Sequence, residues 1–305
     1  MVETAQGTPG DAKPMMQSRS GLLWGPFLSI LLSGCTALPR EDRAGAKPTL
    51  WAYRGSTPAV DGVLSPGEYD DATTFRGCRD WSHTFTPTTA DADLSLQGWV
   101  KHDGKDLYFA FRVTDDVLYG IDTPRWLPDE NPKAHELTRE GFPWFGDEME
   151  ILIDARPGDP RPDGQSARGD GASWQMVCNL TKSRRGGVGV GGLLEGEPRS
   201  DAKAFETYRR WIDTGAMEAV ATRIPGGYVI EWKIRPAPCL EVRPGVFWSP
   251  ALGETRLGLN LAVGDLDRKE QGRGNFGSFH HEDWWSGHPQ NRTWLNQFGT
   301  LILVP

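Results

Sequence analysis

Short stretches in which apolar and polar residues alternate, bounded by glycine and proline, place the strongest constraint on the fold of this chain. In one of them, Leu107, Phe109 and Phe111 follow Asp103-Gly104, a pair that tolerates the positive φ of a tight turn. Helical periodicity is weak, and 202–211 is the only modest helix candidate. We therefore expect an all-β fold, an antiparallel β-sandwich of the jelly-roll or immunoglobulin-like kind. The predicted strands are 94–100, 107–113, 148–154, 174–180, 217–224, 228–234, 256–263 and 298–304.

The segments between these strands are long, polar and interrupted by glycine and proline. The longest connections are 114–146, 155–173, 181–215 and 264–297. Because loops of this size on a rigid sheet often carry function, we expect the binding residues at or beside them.

The N-terminus has the pattern of an export signal. Arg19 precedes an apolar run at 22–32, which is too short for a permanent membrane helix. The run ends in Leu32-Ser33-Gly34-Cys35, which resembles the lipobox at which bacterial lipoproteins are cleaved and lipidated. We therefore expect Cys35 to be lipidated and the protein to be exported and anchored to the cell envelope, on its periplasmic face or at the cell surface. The expected divisions are a signal peptide with lipobox at 1–35, a tether at 36–49 and a β-sandwich domain at 50–305.

Composition narrows the classes of partner. The formal net charge is −8, and the chain has no basic stripe interleaved with aromatic residues, which argues against nucleic acid. The 13 tryptophans are many for an acidic exported chain and favour carbohydrate as the ligand. Cys78, Cys178 and Cys239 form no CxxC pair, so they allow one disulfide with one free thiol and do not support a zinc site.

Residues 143–154 combine features that suit sugar binding. Trp144 and Phe145 lie in a loop bounded by proline and glycine, and the strand that follows places Glu148, Glu150 and Asp154 on one side. An aromatic ring can stack on a pyranose while carboxylates accept hydrogen bonds from its hydroxyls. An ordinary strand with a core tryptophan and a solvated acidic face would have the same pattern.

The order of several motifs resembles that of family-9 carbohydrate-binding modules, β-sandwich modules that are appended to bacterial xylanases. The resemblance covers essentially all of 58–305. The matching pieces are Val60-Asp61-Gly62 with Glu68-Tyr69, 106–115, 143–154, 227–231, 257–260 with Asp265, and Trp294 shortly before 298–301.

This resemblance implies a slot in which two tryptophans sandwich a terminal sugar, and these would be Trp144 and Trp294. It places the sugar-contacting acid at Glu150 and an amide of the next strand at Asn179. Val177 stands where the family can place a basic side chain, which is a departure from the pattern. The implied function is non-catalytic binding of the terminal sugar of a plant-type or other polysaccharide by a surface-anchored lipoprotein associated with polysaccharide breakdown.

Two further predictions concern residues in the long loops. Trp285 either extends the sugar platform or packs beneath it, and we include it among the candidate ligand-binding residues. The resemblance also implies structural calcium. Asp115-Asp116 and 265–267 are candidate ligands because calcium prefers oxygen donors.

A glycoside hydrolase-associated enzyme is one alternative. Asp147 with Glu150, or Glu282 with Asp283, could supply the two carboxylates that glycoside hydrolysis needs. The odd offset between Asp147 and Glu150 would place them on opposite faces of a regular strand, so we expect no catalysis.

Haem or metal binding is the other alternative. His280-His281-Glu282-Asp283 with His288 is the histidine-rich cluster of the chain, and Met149 on the central strand could be an axial haem ligand. Adjacent histidines in extended chain point in opposite directions, and Met149 suits a core position better.

Overall fold

The structure is a computed structural model that describes residues 47–78, 81–83, 90–118, 147–159, 173–179, 190–191, 210–265, 281–287 and 298–305. The described residues all belong to one compact unit, Gly45–Pro305. The predicted signal peptide, Cys35 and most of the predicted tether lie outside the described residues. Among the described residues, no helix has both the length and the apolar character needed to cross a bilayer.

The described residues form two main sheets. The strands are β1 Thr49–Ala52, β2 Thr73–Gly77, β3 Ser82–His83, β4 Leu94–His102, β5 Leu107–Asp115, β6 Glu148–Asp154, β7 Ser173–Asn179, β8 Val190–Gly191, β9 Met217–Ile224, β10 Gly227–Ile234, β11 Glu241–Arg243, β12 Val246–Phe247, β13 Thr255–Asp265, β14 His281–Trp284 and β15 Gly299–Leu303. The larger sheet has the order β1-β15-β13-β6-β7-β8, with β14 pairing with β13 and β3. The smaller sheet has the order β2-β4-β5-β10-β9, and β11 pairs with β12. The prediction of an all-β sandwich is confirmed.

Each predicted strand is present, within a few residues of its expected bounds. The described pairs of strands are antiparallel except β1 with β15, which run parallel. The sequence did not predict the short strands, because too few residues alternate in them; these are β1, β2, β3, β8, β11, β12 and β14. Of the predicted helix at 202–211, the structure describes 210 and 211, which begin a helical turn at 210–213. Short helical turns are also found at Pro236–Cys239 and Pro250–Leu252.

Asp103 organises the turn between β4 and β5. Its Oδ1 accepts hydrogen bonds from the backbone N–H groups of Lys105 and Asp106, at 2.8 and 2.7 Å, and Gly104 has a φ of 87°. Its Oδ2 accepts a hydrogen bond from the Tyr108 hydroxyl at 2.8 Å. Desolvation opposes ionisation of Asp103, but these hydrogen bonds outweigh it and lower its pKa to about 2. The predicted turn is therefore held by its own aspartate.

The main core lies between the two sheets. Met149, Ile151 and Ile153 of β6 belong to the same buried cluster as Phe109 and Phe111 of β5. Burying about ten such side chains is the main source of stability in a sandwich, at roughly 2 kcal/mol each. The alternation along β6 therefore marks its core side correctly.

The described tryptophans and cysteines differ in how deeply they are buried. Trp232 and Trp248 belong to the core. Trp99 is half-buried, and its ring centroid lies 6.2 Å from that of Tyr69. The three described cysteines are buried and form no disulfide with one another, although the sequence allowed one.

A buried glutamate fastens the segment before β2 to the outer face of the smaller sheet. Glu231 Oε1 accepts a hydrogen bond from the Tyr69 hydroxyl at 2.7 Å. Its Oε2 accepts hydrogen bonds from the backbone N–H groups of Gly62 and Asp61, at 2.7 and 3.1 Å. Desolvation raises the pKa of Glu231, although the three hydrogen bonds act in the opposite direction. One carboxylate thus joins two motifs that are far apart in the sequence.

A buried lysine fastens the same segment a little further along. Lys101 Nζ donates to Asp71 Oδ1 at 2.7 Å and to the carbonyl of Glu68 at 2.6 Å. It also lies 5.1 Å from the centroid of the Tyr69 ring. Desolvation opposes ionisation of Asp71, but the hydrogen bonds from Lys101 and Ser56 outweigh it and lower its pKa to about 2. The charge of Lys101 is therefore compensated by Asp71, and the oxygen atoms of Glu231 are satisfied by their three donors.

We expect Glu231→Ala to lower the free energy of unfolding by about 3 kcal/mol or more, because it leaves three donors without their acceptor. Urea denaturation followed by tryptophan fluorescence would measure the change. Glu254→Ala is the matched control, because Glu254 is exposed and pairs only with exposed Arg256, so its loss should cost less than about 1 kcal/mol. Equal costs for the two variants would contradict this role of Glu231.

Candidate ligand-binding face

The predicted acidic side of β6 faces away from the core, but it is not solvated. Glu148, Glu150 and Asp154 are 0%, 1% and 2% exposed. Leu152 lies on the same side and forms a small apolar cluster with Ala262, against which Phe298 packs. We call this side of the larger sheet the outer face. Its described and buried members are Glu148, Glu150, Leu152, Asp154, Ser173, Gln175, Val177, Asn260 and Ala262.

Glu150 is hydrogen bonded to an amide of the neighbouring strand that the sequence analysis did not single out. Gln175 Nε2 donates to Glu150 Oε2 at 2.6 Å. The backbone of Asn179, the amide that the resemblance implies as a sugar contact, pairs with Glu148, and Val177 pairs with Glu150. The register places Gln175 and Asn179 two residues on either side of Val177, and the side chain of Asn179 lies outside the described structure. A sugar contact of Glu150 or Asn179 stays a prediction.

Asn260 is a second buried amide on the outer face that sequence reasoning left without a role. Its Oδ1 accepts a hydrogen bond from the Ser286 N–H, and its Nδ2 donates to the carbonyl of Gly287, each at 3.1 Å. Asn260 therefore ties the turn after β14 to the centre of the sheet. The feature of the sequence that could have pointed to this role is the position of Asn260 within the motif at 257–260.

Trp285 lies on the core side of the sheet. Its ring packs against the main core cluster, and a Cβ built on Gly299 would lie 2.7 Å from its Cζ3. Gly299 pairs with the core residue Leu259, which identifies this side as the inner one. Trp285 therefore packs against the core, and a contact between Trp285 and a sugar stays a prediction. Trp284, its neighbour, pairs with Ala262 of the outer face.

Trp144 and Trp294 lie outside the described residues, so their predicted pairing stays a prediction. The strands that follow them can be compared. Both β6 and β15 are antiparallel to β13, so they run in the same direction and begin toward the same end of the larger sheet.

Three carboxylates that are distant in the sequence meet between the two sheets. Asp115 ends β5, Asp265 ends β13 and Asp147 directly precedes β6; all three are buried, and one oxygen of each lies within 4.8 Å of the others. Burial raises the pKa of Tyr228, and the negative charges of these three aspartates raise it further. We call this group the aspartate cluster. It is a dense set of hard oxygen donors, the kind that calcium prefers.

The described part of the structure bears on two of the residue sets proposed for the alternative sites, while His280, His288 and the side chain of His281 lie outside it. Asp147 belongs to the aspartate cluster, whereas Glu150 pairs with Gln175 on the outer face, so the two carboxylates do not face each other. The side chains of Glu282 and Asp283 are not described. Met149, the candidate haem ligand, is 0% exposed and points into the core.

Comparison with solved structures shows which known fold this is. The chain matches no protein-family model and no curated protein. It is similar to a family-9 carbohydrate-binding module from Caldicellulosiruptor kristjanssonii in complex with cellotriose, with 14% identity, a TM-score of 0.51, and coverage of 84% of this chain and 94% of that one. A structure of such a module from the same organism in complex with glucose matches with 14% identity, a TM-score of 0.50, and coverage of 84% and 95%. The chain therefore has the fold of the family-9 carbohydrate-binding modules that its motifs resemble.

Proposed function

We propose that this protein is a non-catalytic carbohydrate-binding protein that recognises the terminal sugar of an oligo- or polysaccharide and assists polysaccharide breakdown. The observation that carries the proposal is the shared fold, together with the placement of the Glu150–Gln175 pair on one face of the larger sheet. Similar modules hold cellotriose and glucose. Trp144 and Trp294 would stack on the sugar, each contributing about 1 kcal/mol. With few polar contacts, we expect dissociation constants between about micromolar and millimolar.

Isothermal titration with cello- and xylo-oligosaccharides tests this proposal. We expect Trp144→Ala and Trp294→Ala each to weaken binding by about fivefold or more, because each removes a stacking ring. Trp51→Ala is the matched control, since Trp51 is 41% exposed and lies on the edge strand β1. The proposal would be refuted if the protein bound none of the sugars on a glycan array. It would also be refuted if Trp51→Ala weakened binding as much as Trp144→Ala and Trp294→Ala do.

We also propose that the aspartate cluster holds a structural calcium ion. Asp115 and Asp265 were candidates from the sequence, and the structure adds Asp147 to them. A divalent cation would offset the mutual repulsion of three buried carboxylates. Such an ion would join the smaller sheet, through Asp115, to the larger sheet, through Asp265.

Calcium should therefore raise the melting temperature of chelator-treated protein, since a ligand at 100 times its dissociation constant stabilises the folded state by about 2.7 kcal/mol. Differential scanning calorimetry with and without calcium measures this. Asp147→Asn should abolish most of the increase. Asp159→Asn, which removes an exposed carboxylate paired with Arg156, should retain it. An unchanged melting temperature of the wild type after calcium addition would contradict the proposal.

We propose that the protein is exported and lipid-anchored through Cys35. The support is the apolar run and lipobox-like sequence at its end. Cys35→Ala should move the protein from the membrane fraction to the soluble fraction of the expressing bacterium, as measured by immunoblotting after fractionation. Cys239→Ala, which removes a buried thiol of the β-domain, is the control and should remain with the membrane. Retention of the Cys35→Ala protein in the membrane would sink this proposal.

A further inference from the structure

A second cleft lies on the smaller sheet, on the side that faces away from the core. It has a volume of about 650 Å³ and is lined by polar side chains of β2, β4 and β5, with Arg76, Gln97 and Arg112 at its centre. Arg76 pairs with Gln97 and Gln97 pairs with Arg112, so the three residues occupy one rung of the sheet. The two arginines are thus roughly 10 Å apart at Cα, on either side of the amide. We call this the arginine cleft.

Both arginines are exposed, and the described part of the structure contains no hydrogen bond or ion pair of either guanidinium group. By contrast, the guanidinium group of Arg256 pairs with the neighbouring carboxylate of Glu254. In a chain with a net charge of −8, two uncompensated guanidinium groups on one rung form a local positive field. The two long side chains can close on one ligand placed over Gln97.

The remaining lining residues indicate a ligand with hydroxyl groups. Ser95 donates a hydrogen bond from its hydroxyl to the carbonyl of Asp91 at 2.7 Å, which fixes the start of β4 beside the cleft. The Thr114 hydroxyl and the Gln97 amide can both donate and accept hydrogen bonds, as sugar hydroxyls require. The volume falls within the range of small-molecule sites.

We infer that the arginine cleft binds a carboxylate-bearing sugar, a uronic acid unit. The planar guanidinium fork matches a carboxylate with two parallel hydrogen bonds, which gives Arg76 and Arg112 the charged end of the ligand. Gln97 and Thr114 hold its hydroxyls. The cleft lies on the smaller sheet, whereas the proposed neutral-sugar site lies on the larger one, so the two sites do not depend on each other.

Isothermal titration of the full chain with glucuronate and cellobiouronate, each of which carries one carboxylate, at low and high sodium chloride concentration, tests the inference. We expect binding that weakens as salt increases, and a roughly tenfold or greater loss in the Arg76→Gln/Arg112→Gln double variant. Glucose and cellobiose serve as uncharged ligands of matched shape, and they should not compete with the uronates. Thermal unfolding of the double variant should match the wild type, because neither guanidinium has a partner in the described structure.

Arg256→Gln is the control, since it removes an exposed arginine of the larger sheet and should leave uronate binding unchanged. Wild-type uronate affinity in the double variant, or no uronate binding by the wild type, would overturn the inference. Inorganic sulfate that binds as tightly as glucuronate would assign a general oxyanion site and overturn the sugar class. Loss of uronate binding in Trp144→Ala would place the ligand in the neutral-sugar site and overturn the location.

Discussion

The burial of Glu231 is the constraint on which the smaller sheet depends. A carboxylate that is 0% exposed must have its oxygen atoms satisfied, and the chain does this with donors from residues 61–69. The segment before β2 consequently lies across the sheet as a fixed layer, and Lys101 repeats the arrangement beside it. Two motifs that identify the family resemblance in the sequence, at 60–69 and 227–231, are therefore explained by one hydrogen-bonded site.

Polar residues are buried on the outer face of the larger sheet and exposed in the arginine cleft of the smaller sheet. On the larger sheet, Glu150, Gln175 and Asn260 are buried and paired with one another or with backbone, so their positions are set before any ligand arrives. On the smaller sheet, Arg76 and Arg112 are exposed and their charged groups face solvent. Preorganised polar contacts suit an uncharged sugar, whereas exposed guanidinium groups suit a ligand that brings its own charge.

Alternation in the sequence was sufficient to predict the long strands and the core side of β6, because one face of each strand is buried. It could not predict the partner of Glu150. Gln175 and Asn179 have the same parity on β7 and lie two residues on either side of Val177, which pairs with Glu150, so neither the alternation nor the register distinguishes them. Asp147 was considered as a catalytic acid, since its approach to Asp115 and Asp265 depends on how two sheets pack. Short strands such as β1 carry too few residues for a pattern to show.

The parallel pairing of β1 with β15 has a mechanical consequence. The chain enters the domain at Lys47, whose Nζ donates to the Ser286 carbonyl, and then runs alongside the last strand over the four pairs from Thr49–Thr300 to Ala52–Leu303. A pull on the N-terminal side of Thr49 along the strand axis would load these backbone hydrogen bonds together, in shear, and would not open them one after another. The domain should therefore resist tension that is applied at the N-terminal end of β1.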